Sequence, residues 1–93
     1  MKWALVTGAS SGMGKEYARQ LAERGYNIIV VSNDDEGNRC VAECLERDFR
    51  VKAVPIYVDL AIENGAQSLY QEVRDRGYEV EILVSNAGML LFS

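Results

Sequence analysis

Short apolar segments alternate along the chain with longer amphipathic ones. Four apolar runs, rich in β-branched residues, begin at positions 3, 27, 53 and 81 and therefore lie 24 to 28 residues apart. This spacing is typical of repeated strand-plus-helix units, which build a parallel sheet. Because apolar side chains occupy successive positions within each run, both faces of these strands are expected to be covered by helices.

The amphipathic segments predict three helices between the strands. The first is expected to begin near residues 11–13 and to end at Arg24, because Gly25 can adopt the positive φ that ends a helix. The second is expected to begin at Asp34 or Asp35, whose carboxylates can accept hydrogen bonds from free N–H groups, and to end near Asp48. Its apolar face consists of Val41, Ala42, Leu45 and Phe49.

The third helix has the clearest amphipathic pattern. Its apolar positions are spaced as on one face of a helix and comprise Ile62, Ala66, Leu69, Tyr70 and Val73. Tyr70 is accordingly expected in the core, and Gly77 is placed to end the helix. Pro55 lies within the third apolar run and has no N–H to donate, so this strand is expected at an edge of the sheet.

Composition and charge narrow the class of protein. With 93 residues, of which 48% are hydrophobic and 26% charged, the chain is expected to form one small domain over residues 1–93. The net charge of −4 and the lack of a basic run argue against a nucleic-acid partner. No apolar stretch approaches the roughly 18 residues of a membrane helix, and no signal peptide is visible. No membrane partner and a cytoplasmic location are therefore expected.

Two cysteines, Cys40 and Cys44, lie one helical turn apart in the second predicted helix. The chain contains no histidine, so a zinc site would lack ligands. A disulfide across one helical turn has poor geometry. Two reduced, partly buried thiols and no metal site are expected.

The candidate chemistry begins with a glycine-rich turn between the first strand and the first helix. It reads Thr7-Gly8-Ala9-Ser10-Ser11-Gly12-Met13-Gly14. Gly8 permits a sharp exit from the strand, Gly12 lets the backbone approach a pyrophosphate, and Gly14 lets the helix pack closely on the strand. Free N–H groups at the helix start, together with the hydroxyls of Ser10 and Ser11, would face the anion. A tight turn without a ligand is the alternative interpretation.

The spacing Thr-Gly-x-x-x-Gly-x-Gly separates this turn from a P-loop, since Lys15 is followed by Glu16 instead of serine or threonine. It resembles the glycine-rich turn of the short-chain dehydrogenase/reductase family, in which Met13 would also line the cofactor. Two further segments resemble the family, at the ends of the third and fourth strands. They are Asp59-Leu60 and Asn86-Ala87-Gly88, the second with Ser85 where the family has a first asparagine.

The resemblance implies a role for each of these positions. Asp59, beside Leu60, would accept a hydrogen bond from the adenine amino group, although an aspartate here equally fits a cap of the third helix. Asn86 would hold the central strands, and Ala87 with Gly88 would offer the adenine ribose a surface poor in side chains. The overall prediction is a partial Rossmann-like α/β fold of three layers, with a parallel sheet in the strand order 3-2-1-4 and right-handed crossovers.

The expected cofactor is NAD or NADP. In this family an acidic residue at the end of the second strand commonly marks NAD and a basic one marks NADP, but the sequence has Ser32 and Asn33 there. The acidic residues 34–36 would repel a 2′-phosphate, which favours NAD slightly. Arg39 would reverse this preference if it reached the phosphate, although a solvated helix charge is the simpler interpretation.

By resemblance, the function is that of an NAD(P)-dependent oxidoreductase, which transfers a hydride between nicotinamide and an alcohol or carbonyl substrate. The family's catalytic Tyr and Lys occur in a Tyr-x-x-x-Lys motif that Tyr17 with Arg19 and Tyr70 with Arg74 do not reproduce. We therefore expect no catalytic residue here. The chain would be the cofactor-binding, N-terminal part of a longer enzyme, inactive by itself.

A self-contained nucleotide-binding or sensor module is the competing hypothesis, and a family fold that has lost catalysis is a third. In the order 3-2-1-4 the fourth strand would lie at an edge, yet residues 82–84 are uncharged and residues 89–92 are apolar. A complete domain usually protects such an edge. These features favour a truncated chain that self-associates, so a homo-oligomer is expected.

Overall fold

Strands and helices alternate through most of the molecule. The computed structural model describes residues 2–10, 12–59, 64–85 and 88–91. The elements are β1 (Trp3–Thr7), α1 (Gly12–Glu23), β2 (Asn27–Ser32), α2 (Asp35–Phe49), β3 (Ala53–Tyr57), α3 (Gly65–Asp75), β4 (Val80–Ser85) and β5 (Gly88–Leu91). The alternation predicted from the spacing of the apolar runs is present from β1 to β4.

The sheet has the order β3-β2-β1-β4-β5, and its first four strands are parallel. The predicted order 3-2-1-4 and the Rossmann-like fold are therefore confirmed. The register places Leu5 of β1 between Ile29 of β2 and Leu83 of β4. The carboxyl ends of the four parallel strands consequently meet at one edge, which is where open α/β sheets bind ligands.

The edge strands of the sheet are β5 and β3. β5 runs antiparallel to β4, with Ser85 opposite Gly88 and Ile82 opposite Leu91. The prediction that β4 lies at an edge is wrong, because its open backbone groups pair with the next apolar run along the chain. The other edge is β3, which confirms the position inferred from Pro55.

Alternate residues of the central strands face two separate cores. On the side of α1 and α2, the buried strand residues include Ala4, Val6, Ile28 and Val30. On the side of α3 they include Trp3, Leu5, Ile29 and Val31. Every residue of β1 and β2 is buried, and each large aliphatic side chain buried in this way contributes about 1.5–3 kcal/mol. The predicted three layers follow from this two-sided burial.

The helix boundaries agree with the predicted signals at most ends. Gly25 and Gly77 both have positive φ, 93° and 78°, just beyond α1 and α3. Asp34 caps α2 by accepting a hydrogen bond of 2.9 Å from Gly37 N. α2 continues to Phe49 and ends at Arg50, which adopts a left-handed φ of 57° without being glycine.

Within the described residues, no helix combines the length and the apolar character needed to cross a membrane.

Tyr70 is 45% exposed, so its predicted place in the core is wrong. Leu69 and Val73 form the part of α3 that is buried against the sheet. Tyr70 lies at the margin of that face, beside a groove that Tyr78 also lines. Ile62 and the side chain of Ala66, which belong to the same predicted face, lie outside the described residues.

Both cysteines are free thiols, as predicted. Cys44 is partly buried, but Cys40 is exposed, because it lies outside the face of α2 formed by Val41, Ala42 and Leu45. Among the residues that the structure describes, no group of histidine, cysteine, aspartate or glutamate is arranged to hold a metal ion.

Candidate dinucleotide-binding site

The predicted site residues follow the carboxyl ends of the parallel strands. Gly8 and Ser10 follow β1, Ser32 ends β2 with Asn33 directly after it, and Asp59 lies two residues beyond β3. Gly88 is the first residue of β5 and pairs with the end of β4. Four further predicted positions lie outside the described residues: Ser11, Leu60, Asn86 and Ala87.

The three glycines of the turn after β1 meet different structural requirements. Gly8 and Gly12 have positive φ angles of 66° and 61°. A Cβ built on Gly14 would overlap the Gly8 carbonyl and lie 2.7 Å from its carbon, so only glycine lets α1 approach the turn this closely. A Cβ on Gly12 would have no atom within 4 Å, which means that its surface is open to a ligand.

Hydrogen bonds fix this turn to both neighbouring strands. The backbone N–H of the fully buried Ala9 donates to Val31 O of β2 at 3.2 Å. The Thr7 hydroxyl donates to Val84 O of β4 at 3.3 Å. Met13, by contrast, is 72% exposed in the first turn of α1. The backbone at the start of α1 is therefore held in place while its outer surface is accessible.

The end of β2 presents Asn33 rather than Ser32. Ser32 is buried, its hydroxyl donates to Asn38 Oδ1 at 2.5 Å, and the same oxygen accepts from Asp34 N at 3.1 Å. Asn33 and Asp34 are exposed. The Ser32 side chain is thus engaged within the protein, and Asn33 carries the accessible polar group.

Asn38 is a buried polar residue that the sequence interpretation missed. It is 0% exposed, and its Nδ2 donates to the carbonyl oxygens of Ser32 and Ile56, each at 3.1 Å. A signal was present, since Asn38 lies three and four residues before Val41 and Ala42 and so belongs to the apolar face of α2. A lone amide on an apolar helix face indicates a specific hydrogen-bonding role.

Gly37 brings the turn after β2 against the glycine-rich turn. A Cβ at Gly37 would lie 2.8 Å from Asp34 Cγ and 2.9 Å from Ser10 Cβ, closer than real side chains pack. The first turn of α2 therefore lies directly beside Ser10. The two turns form one continuous surface at the carboxyl edge of the sheet.

Asp59 lies half-buried beyond β3. α3 as described begins at Gly65, with Asn64 at its N-cap position and no side-chain cap. The N-cap position of α3 as described is therefore Asn64, five residues beyond Asp59. The role implied for Asp59 in binding adenine stays a prediction.

Two of the three acidic residues after β2 have local partners. Asp34 accepts from Gly37 N as the cap of α2, and Asp35 forms an exposed ion pair with Arg39. Arg39 accordingly serves as a helix surface charge in the structure. The expected repulsion of a 2′-phosphate by residues 34–36, which favoured NAD, is weakened by the pairing of Asp35 with Arg39.

Glu16 and Arg19 form a doubly hydrogen-bonded ion pair in α1, close to the glycine-rich turn. The Arg19 guanidinium donates twice to the carboxylate, at 2.6 and 3.1 Å, and Gln20 Nε2 donates at 3.2 Å. Hydrogen bonds from Arg19, and then from Gln20, lower the Glu16 pKa from 4.5 to about 2. The same pairing raises the pKa of Arg19. The negative charge of Glu16 is thereby balanced beside a proposed diphosphate site.

The Glu16 titration is a direct test of this pairing. We expect a carboxyl midpoint near pH 2 by NMR, and a return towards 4.5 when Arg19→Leu removes the main donor. Because the folded pKa lies below the unfolded one, the pair's contribution to stability is present above about pH 4.5 and is lost as the pH falls towards 2. Gln20→Ala should give a smaller shift, and a midpoint near 4.5 in the unchanged chain would contradict the geometry.

Comparison with known families identifies the class of protein. Residues 2–93 match the family model described as short chain dehydrogenase. The chain belongs to this family, which confirms the resemblance seen in the glycine-rich turn.

Particular relatives extend the comparison. The chain is 37% identical over 89 residues to a very-long-chain 3-oxoacyl-CoA reductase of Meyerozyma guilliermondii, an alignment covering 94% of this chain and 26% of the relative. It also resembles the structure of L-sorbose reductase from Gluconobacter frateurii complexed with NADPH and L-sorbose. The two structures superpose with a TM-score of 0.85 and are 33% identical in sequence, and the match covers 94% of this chain and 33% of the reductase. A short-chain dehydrogenase from Sphingobium yanoikuyae in complex with NADPH superposes with a TM-score of 0.79 and is 28% identical in sequence. This match covers 89% of this chain and 32% of the dehydrogenase.

Two consequences follow from these similarities. The chain spans about a quarter of the length of the curated relatives it matches. The solved relatives just described carry NADPH, so the comparisons support a dinucleotide cofactor but give no support to the slight preference for NAD.

Proposed function

We propose that this chain binds NADP(H) and supplies the cofactor-binding part of a carbonyl reductase of the short chain dehydrogenase family. The observation that carries the proposal is the glycine pair at the start of α1. Gly14 has no room for a side chain, whereas the surface of Gly12 is open. Such a turn brings the free N–H groups of α1 to a surface that a diphosphate can reach.

Each strand end would hold a different part of the cofactor. The turn after β1 would bind the diphosphate, the turn after β2 the 2′ substituent of the adenine ribose, and the turn after β3 the adenine. The residues assigned to these parts and to the adenine-ribose surface after β4 are Gly8, Ser10, Ser11, Gly12, Met13, Gly14, Asn33, Asp59, Leu60, Asn86, Ala87 and Gly88. When bound, the nicotinamide supplies or accepts the hydride.

NADP(H) is preferred in this proposal because the residues at the end of β2, Ser32 and Asn33, carry no acidic group. The Ser32 hydroxyl is bonded to Asn38, and the Asp34 carboxylate is occupied with the cap of α2. Asn33 has an exposed carboxamide that can donate to a phosphate oxygen. The two solved relatives that carry NADPH support the same choice.

The reduction itself is proposed for a longer protein. The 93 residues contain no Tyr-x-x-x-Lys motif, so we expect no turnover from this chain alone. The curated relatives suggest a 3-oxoacyl thioester as the first substrate class to test. Its ketone would take a hydride from NADPH and a proton, giving the alcohol and NADP⁺.

Calorimetric titration of the chain with NADPH and NADH tests the cofactor proposal. We expect saturable binding of NADPH that is at least about tenfold tighter than that of NADH, since a charge-assisted hydrogen bond contributes about 1.5–3 kcal/mol. Gly12→Val serves as the matched control, because its side chain would fill the open surface and should abolish binding of both cofactors. No binding of either dinucleotide, or tighter binding of NADH, would overturn the proposal.

A further inference from the structure

We propose that Asn38 is a positioning residue, whose carboxamide sets the turn after β2 and thereby the recognition of the 2′ substituent of the adenine ribose. The inference rests on the proposed function. Asn38 lies behind the surface at which the cofactor would bind and is fully buried. It would therefore act through Ser32 and Asn33.

Asn38 joins three elements of the fold. Its side chain extends from the first turn of α2, and its Nδ2 donates to the last residue of β2, Ser32 O, and to Ile56 O of β3. Its Oδ1 accepts from the Ser32 hydroxyl. One side chain thus ties the carboxyl ends of two neighbouring strands to the helix that follows the first of them.

Every hydrogen-bonding group of the Asn38 amide has a partner. An asparagine side chain has two N–H donors, and both find carbonyl oxygens, while its oxygen accepts the short hydroxyl bond. No buried side-chain nitrogen or oxygen lacks a partner in the described part of the molecule. A saturated buried network of this kind specifies one geometry, and a misplaced strand end would leave its groups unpaired.

The amide at position 38 is matched to its partners. Asn38 occupies the same helix face as Val41 and Ala42, which pack against the sheet. An apolar side chain in this position would fill the core but would leave the buried Ser32 hydroxyl and the Ile56 carbonyl without this partner. Asparagine therefore stabilises the strand ends only in the positions that its hydrogen bonds require.

The hydrogen bonds around Asn38 extend to the proposed ligand surface. Ser32 O also accepts from Val58 N at 3.1 Å, Ser32 Oγ accepts from Asp34 N, and Asp34 O accepts from Asn38 N at 2.8 Å. Residues on both sides of Asn33 are therefore fixed to Asn38 or to its partner. The exposed Asn33 is presented on a rigid turn, beside the glycine-rich turn that Gly37 allows to approach.

The test compares two nucleotides that differ only in the 2′-phosphate, 2′,5′-ADP and 5′-AMP. In Asn38→Leu, we expect the affinity for 2′,5′-ADP to fall about tenfold, the effect of losing roughly one charge-assisted hydrogen bond. The affinity for 5′-AMP should change less than about twofold. A merely structural role would reduce both affinities by one common factor, because the folded fraction multiplies each of them.

Three further variants make the comparison decisive. Leu45→Ala removes a buried side chain from the same helix and should leave the ratio of the two affinities unchanged. Asn38→Asp keeps the shape but loses both donors, and should lower the ratio as Asn38→Leu does. Ser32→Ala removes the hydroxyl bond to Asn38 and the bond from Asp34 N, but it keeps both bonds donated by Asn38 Nδ2, so it should lower the ratio less. It carries the comparison if the Asn38 variants do not fold.

The outcomes separate this inference from the proposed function. If the unchanged chain binds 2′,5′-ADP and the Asn38 and Ser32 variants keep the same ratio, the positioning role is wrong and the proposed function stands. If the unchanged chain binds neither nucleotide, both are wrong. A lowered ratio in the Asn38 variants, with an unchanged ratio in Leu45→Ala, supports the positioning role.

Discussion

Replacing Gly14 by alanine is expected to lower the free energy of unfolding by at least about 3 kcal/mol, the upper range of overpacking costs. The added Cβ would overlap the Gly8 carbonyl, which is backbone and has no rotamer to escape into. α1 would have to move off the turn, and Ala18 and Leu21 of α1 are part of the core. A domain of this size is stabilised by about 5–14 kcal/mol in total, so the loss is a large fraction.

Two glycine variants serve as controls for this prediction. Gly25→Ala meets no atom within 4 Å, and its positive φ of 93° should cost about 1–2 kcal/mol without affecting cofactor binding. Gly12→Ala also meets no atom but lies on the proposed diphosphate surface, so it should cost similar stability and weaken NADPH binding. Urea unfolding and calorimetry measure both properties. A Gly14→Ala chain as stable as Gly25→Ala would contradict the close approach of α1.

Replacing Asn33 by arginine is expected to tighten binding of NADPH by about 10- to 100-fold and to change binding of NADH less than about twofold. Asn33 is exposed at the carboxyl end of β2, and the turn on either side of it is held by Ser32 and Asp34. A guanidinium can donate two parallel hydrogen bonds to a phosphate, whereas a carboxamide offers only neutral donors. The gain should therefore depend on the 2′-phosphate alone.

A charge-matched variant distinguishes this contact from a general effect of charge. Gln71 is exposed in the second half of α3, and Gln71→Arg adds the same charge farther from the carboxyl edge of the sheet. It should tighten NADPH binding by less than about twofold, because exposed charges are screened beyond about 8–10 Å at physiological salt. Equal gains in the two variants, or an equal gain for NADH, would show that the 2′-phosphate does not lie at the turn after β2.

The sequence by itself determined the order of elements from β1 to β4 and the backbone conformation of the glycine-rich turn. Both depend on residues that are close along the chain. Apolar residues at successive positions mark strands buried on two faces, Pro55 marks an edge strand, and Asp34 marks the start of α2 because its carboxylate reaches a nearby N–H. The glycine-rich turn belongs to the same group, since its positive φ angles are local requirements.

The tertiary structure decided what lies across space from each of these residues. The exposure of Tyr70 depends on how far the sheet extends beneath α3, and the pairing of β5 depends on which edge the chain leaves open. The bonds from Asn38 to Ser32 and Ile56 join residues 6 and 18 positions apart. No local pattern encodes such partners, because they come together only after α2 packs on two parallel strands. The turn after β2, on which recognition of the cofactor would depend, was therefore visible in the sequence only as Ser32-Asn33, without the amide that holds it.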